Sequence, residues 1–190
     1  MNVLLIGPPG SGKGTQGERL AARLGLAHLA SGDLLRAEVE AGTPLGTQAS
    51  EIMKRGDLVP DALILELLLP KVFDAAAANG YLLDGFPRSV AQAVEARKLA
   101  ERHDAAPDAV IYLDVPREEL LRRILARADV EGRADDNEDT VRNRLRVFDE
   151  ATAPLVDHYR DRGLLHIIDA NRPEDDVTAA ILAALPSSSR

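Results

Sequence analysis

The sequence predicts a doubly wound α/β domain, with a sheet of about five parallel strands flanked by helices. Three observations predict it. Short, branched apolar runs alternate with amphipathic segments along the chain. Those runs lack the polar alternation of a half-exposed strand, so they suit a parallel sheet covered on both faces. A glycine-rich turn links the first run directly to the first helical segment.

The elements follow in chain order. Val3–Ile6 is the first strand. Residues 13–24 carry Leu20, Ala21 and Leu24 at helical spacing, and 28–30 is a weaker second strand. Residues 30–59 break the β–α rhythm as a largely helical insertion. A helical stretch over 61–79 contains Pro70, where an interruption is expected because proline removes a backbone donor. Asp33 is a candidate N-terminal cap. Residues 81–83, 110–113 and 164–168 are further buried strands. The stretch 117–127 has a stripe of Leu120, Leu121, Ile124 and Leu125, and 174–185 has one of Val177, Ile181, Ala184 and Leu185. Residues 137–162 are helical with a break expected at Pro154. Residues 126–136 form a short polar connection, and the tail after Pro186 is expected to fray. The chain of 190 residues reads as one domain, 1–190.

Composition narrows the function. The formal charge is −8, and aromatic residues make up only 3%. A globally acidic chain repels nucleic acid and anionic membranes, and few aromatics leave little to stack bases on. Neither nucleic acid nor membrane is therefore an expected partner. There is no cysteine, which excludes disulfides and Cys-ligated zinc and agrees with a reducing compartment. Val3–Ile6 is too short to span a bilayer and no targeting pattern surrounds it, so the expected location is cytoplasmic.

The strongest motif is Gly7-Pro8-Pro9-Gly10-Ser11-Gly12-Lys13-Gly14-Thr15. Its glycines let successive backbone N–H groups turn inward as an anion nest, at the N-terminus of a helix. Lys13 adds a full charge toward the outer phosphates. Thr15 offers a hydroxyl near the expected Mg²⁺. The general phosphate-loop pattern has Ser or Thr directly after the lysine. Here Gly14 stands in that slot, which points away from a GTPase. A guanine-reading Asn-Lys-x-Asp segment is also missing, since none of Lys13, Lys54, Lys71 and Lys98 follows an asparagine.

GPPGSGKGTQ, then SGDLLR at 31–36, then DGFPR at 84–88 with Gln92, together resemble the adenylate kinase family, a branch of the nucleoside-monophosphate kinases. The resemblance spans the chain and implies reversible transfer ATP + AMP = 2 ADP by a monomeric enzyme with Mg²⁺. It implies that Gly10, Ser11, Gly12, Lys13, Gly14 and Thr15 hold ATP, with Arg127 and Arg172 at its base. Ser31, Arg36, Asp57, Leu58, Val59, Gly85, Phe86, Pro87, Arg88 and Gln92 are implied at AMP, joined by Arg133 and Arg144. Lys13, Arg88, Arg123, Arg133 and Arg144 are implied around the transferring phosphates, and Asp84 is implied to orient Mg²⁺ through water. The insertion 30–59 then corresponds to the AMP-binding segment and 126–136 to a short lid, the form that carries no zinc. The turn Asp169-Ala170-Asn171-Arg172-Pro173 matches more loosely, because the family often has Gly where Ala170 stands.

Other readings compete. A UMP/CMP kinase-like enzyme shares the loop and the short lid, but tends to have Ala at the position of Ser31 and Asn at that of Gln92. A catalytically dead scaffold is disfavoured by the retention of Lys13, Arg88, Arg123 and Arg144. Arg117 and Arg122 read as a solvated helix face, and Asp135 and Asp136 as helix caps.

Overall fold

The computed structural model describes the backbone of residues 1–131 and 138–186, and the side chains of 1–126 and 139–186. The chain begins with β1 (Val3–Ile6), α1 (Lys13–Leu24), β2 (Ala27–Ala30), α2 (Ser31–Glu40), α3 (Pro44–Arg55) and α4 (Asp61–Ala77). It continues with β3 (Tyr81–Asp84), α5 (Val90–Glu101), β4 (Ala109–Asp114), α6 (Arg117–Glu131) and α7 (Glu138–Val147). A π-helical turn at Phe148–Thr152 then leads to α8 (Leu155–Arg160), β5 (Leu165–Asp169) and α9 (Glu174–Ala184).

The strands form one sheet in the order β2-β3-β1-β4-β5. Every neighbouring pair is parallel. The expected α/β fold with five parallel strands is therefore present. Alternation along β1 explains its two-sided burial. Leu4 and Ile6 enter a core with Leu83, Val110, Leu68 and Tyr159. Val3 and Leu5 enter the opposite core with Leu82, Ile111, Ile124 and Ile181. Successive strand side chains point to opposite faces, so a continuous apolar run needs helices on both.

Caps fix several helix ends. Thr43 accepts a hydrogen bond from Gly46 N at 3.0 Å, with Pro44 opening α3. Ser89 accepts one from Gln92 N at 3.1 Å, which starts α5.

Several expectations need correction. Helix α4 runs through Pro70 without interruption. Ile64, Leu67, Leu68 and Val72 are buried along it, and that burial outweighs the lost backbone bond. Pro70 itself is exposed, so water reaches the side of the helix where its ring sits. Asp33 is not a cap: Ala30 holds the cap position, and Asp33 lies in the first turn of α2, paired with Arg36. Strand β5 is an edge strand and largely open, with Ile167 half exposed. Helix α6 continues to Glu131, into part of the expected polar connection, while 132–136, with Asp135 and Asp136, lie outside the described residues. The break near Pro154 is present, as the π-helical turn before α8. Helix α5 has no counterpart in the periodicity, because its buried positions, Gln92, Ala93 and Ala100, are small or polar.

Candidate active site

The strand order reverses at β1, whose neighbours are β3 and β4. A crevice opens beyond the strand ends at such a point. The loop from Gly7 to Gly12 sits there, between β1 and α1. Gly10 has φ of 83°, and a Cβ on it would lie 2.8 Å from Ile124 Cγ1. Only glycine suits that backbone and that proximity. Gly12, also left-handed, occupies the cap position of α1, so the first N–H groups of the helix face the crevice.

Lys13 donates from Nζ to Gly7 O at 2.9 Å and Pro8 O at 3.0 Å, curling back over the loop. The loop lines a cleft of about 730 Å³. Arg36 reaches that cleft from α2, Arg123 from α6 and Arg144 from α7, and Arg88 and Arg172 reach it from loops. Gly10 to Thr15, Leu58, Asp84, Gly85 and Pro87 line it as well. Of the cationic side chains expected around the phosphates, Lys13, Arg88, Arg123 and Arg144 line this one cavity.

Local contacts aim Arg88, Arg123 and Arg172. Arg88 Nε donates to Gly85 O at 2.8 Å, while Arg88 O accepts from Thr152 Oγ1 at 2.7 Å. The second bond ties this turn to the π-helical segment. Arg123 donates to Glu119 at 2.7 Å and to Ala170 O at 3.2 Å. Arg172 donates to Asp169 O at 3.2 Å. Hydrogen bonds and charge from Arg122 and Arg123 hold the Glu119 carboxyl down at about 2, so it stays ionised in any ordinary buffer.

Asp84 ends β3 and is buried. Burial pushes its carboxyl up from the usual carboxylate range, while Lys13, His28 and Arg88 act in the opposite direction. Its oxygens and the Thr15 hydroxyl are hard donors facing the same cleft, the donor set that suits Mg²⁺ carried by phosphates. Among the described residues, no group of three or more His, Cys, Asp or Glu is arranged to hold a metal.

A smaller recess adjoins the cleft. Ser31, Leu58, Val59, Phe86 and Gln92 line it, and it shares Gly85 and Arg88 with the larger cavity. Ser31 Oγ and Ser11 Oγ are buried, with no hydrogen-bond partner among the described residues. Buried hydroxyls are normally satisfied, so such atoms, Ser11 lining the cleft and Ser31 the recess, are suited to ligand contact.

Not every expected residue meets at the cleft. Asp57 lines neither cavity; its carboxylate accepts from Asn143 at 2.9 Å and Arg55 at 3.0 Å. It anchors the end of the insertion to α7. Arg127 belongs to α6, but its side chain is outside the described residues, as is all of Arg133. Arg117 pairs with Asp149 at 2.6 Å on the surface, as expected, whereas Arg122 reaches the cleft rim through Glu119. Glu119, Asn143 and Thr152 are among the contributors that sequence reasoning missed. For Glu119 a signal existed, since Arg122 and Arg123 stand three and four residues on, the spacing of helix neighbours.

The family model described as adenylate kinase matches residues 5–164. An adenylate kinase of Thermus thermophilus is 50% identical over 183 residues, covering 96% of either chain. Those of Xanthomonas campestris pv. campestris and Stenotrophomonas maltophilia are 48% identical over 185 residues, covering 97% of this chain and 99% of theirs. Matches of that extent leave no large segment unaccounted for, and they coincide with a cleft built from the expected loop and arginines: the chain belongs to the adenylate kinase family.

Proposed function

We propose that the enzyme transfers the terminal phosphoryl group of ATP to AMP, reversibly, giving two ADP. The observation that carries this reading is the shared cleft, in which the phosphate loop with Lys13 meets Arg36, Arg88, Arg123 and Arg144. The bond from the outer phosphorus of ATP to its bridging oxygen breaks, and a phosphate oxygen of AMP takes its place on phosphorus. No covalent enzyme intermediate is needed, and catalysis is positioning plus electrostatic stabilisation.

The roles divide as the family resemblance implies. Backbone N–H groups of Gly10 to Thr15 and the Lys13 ammonium hold the ATP phosphates. The base of ATP lies against Arg127 and the Arg172 turn. Ser31, Arg36, Leu58, Val59, Gly85, Phe86, Pro87 and Gln92 hold AMP, with Asp57 steadying that segment. Arg88 grips the AMP phosphate. Arg123, Arg133 and Arg144 neutralise the group in flight. Two like charges about 4 Å apart repel by about 4 kcal/mol at an effective dielectric near 20, so several cations must face two polyanions. Guanidinium forks also fix phosphate geometry through paired hydrogen bonds. Asp84, acting through water, and Thr15 would hold Mg²⁺, which would supply further neutralisation of the phosphate charge.

The insertion 30–59 and the lid 126–136 exclude water from the cleft, which keeps ATP from being hydrolysed. One domain over 1–190 carries all these parts. The enzyme works as a monomer in the cytoplasm. The lack of cysteine in the sequence supports that compartment, and no helix among the described residues is long and apolar enough to cross a membrane.

Ser31 and Gln92 in the recess support adenine as the acceptor base. With ATP as donor, AMP is expected to be phosphorylated far faster than CMP or UMP in a coupled assay. The reverse order would make this a pyrimidine kinase.

A further inference from the structure

Gln92 is buried, 3% exposed, and both ends of its amide are engaged. Its Oε1 accepts from the backbone N–H of Arg88 at 2.7 Å. Its Nε2 donates to Asp61 Oδ1 at 2.7 Å. Neither partner is ambiguous. A backbone N–H only donates, and an ionised carboxylate only accepts. Rotating the amide by half a turn would set N–H against N–H and oxygen against oxygen at both contacts. The two partners together therefore allow one orientation.

A primary amide has two donor hydrogens and two acceptor lone pairs. One of each is used, so one N–H and one lone pair remain on the group that lines the recess. That leftover pair has a direction. It complements a base edge presenting a ring-nitrogen acceptor beside an amino donor, as adenine does. Hypoxanthine and guanine present the inverse, a ring N–H beside a carbonyl oxygen. A glutamine free to turn would serve either edge.

We propose that Asp61, in the first turn of α4, is a positioning residue that sets acceptor-base selectivity by locking the Gln92 amide in the adenine-reading orientation. The inference rests on the reading of this recess as the acceptor-base site. Asp61 itself lines neither cavity, so it acts through Gln92. Its other plausible service, favouring the N-terminus of α4 by its charge, would affect stability and every substrate alike.

The test is Asp61→Asn, an isosteric change that replaces a one-way acceptor by a group able to accept or donate. The readouts are KM for AMP and the inhibition constants of IMP and CMP in competition with AMP. Loss of one directional hydrogen bond is expected to shift IMP relative to AMP by about tenfold in favour of IMP. CMP relative to AMP should stay put, because cytosine presents the same acceptor–donor edge as adenine. KM for ATP should also be unchanged. Asp61→Ala, with no contact at all, should relax the discrimination at least as far. An unchanged IMP-to-AMP ratio in both variants overturns the proposal while leaving the adenylate kinase reading intact. A wild-type enzyme that does not phosphorylate AMP overturns both.

Discussion

Two buried serine hydroxyls without partners among the described residues mark where the fold accepts a local penalty. Leaving a buried hydroxyl unpaired costs about 1–3 kcal/mol, so Ser11 and Ser31 are worth keeping only where something else meets them. Both border the cavity system that contains the arginines. Arg88 is the residue on which the acceptor side turns. Its side chain is steadied by Gly85 O and its carbonyl by Thr152, so its guanidinium is held before a phosphate arrives. Preorganisation of this kind is what makes a charge effective in a transition state. Arg88→Ala should therefore lower kcat by about 100-fold to 1000-fold. Circular dichroism and the melting temperature should show the fold retained, since the side chain sits in the cleft wall. A near-normal kcat would remove Arg88 from the role assigned to it. These cationic positions were legible from motifs, because phosphate chemistry demands particular residue types at particular places. Glu119 and Asn143 were not singled out, because their work is to hold other side chains, and such work is defined by three-dimensional neighbours.

At the scale of elements, the insertion depends on how closely its helices approach. A Cβ at Gly46 would lie 2.0 Å from Glu38 O and 2.6 Å from Val39 N, both backbone atoms. No side-chain rearrangement relieves a contact with main chain. Gly46→Ala must push α2 and α3 apart, and should destabilise the protein by about 1–3 kcal/mol despite the better helix propensity of alanine. Urea denaturation measures this, and an unchanged or raised midpoint would contradict it. The far end of the insertion is fastened differently. Thr140 donates to Lys54 O at 3.1 Å, and Asn143 donates to Arg55 O at 2.7 Å. These side-chain bonds join α3 to α7. Helix existence was legible from periodicity in most segments, but Pro70 was misleading. Local proline chemistry favours interruption, and the buried stripe Ile64, Leu67, Leu68 and Val72 overrides it. Periodicity could not register α5 for the complementary reason. That helix buries only a few small or polar positions, Gln92, Ala93 and Ala100, so it has no broad apolar face to announce it.

For the whole molecule, one sheet order sets the function. Placing β1 between β3 and β4 brings the phosphate loop beside the Asp84–Arg88 turn, although the two lie far apart in the chain. The long connection from β1 through β2 and the insertion to β3 then closes one side of the cleft. Helices α6 and α7 close the other. The parallel fold was legible because buried-strand runs and β–α alternation are global patterns that no single residue can disturb. The openness of β5 was not, because an edge strand and a central strand can carry similar apolar residues. The central claim is that this cleft receives two nucleotides end to end, phosphates inward. A single molecule made of two adenosines joined through a polyphosphate chain, spanning both positions, tests it most directly. Titration calorimetry should give one equivalent bound per chain, and steady-state inhibition should be competitive against ATP and against AMP alike, because joining the halves makes the second contact intramolecular. Competition against ATP alone, with AMP binding undisturbed, would contradict the account.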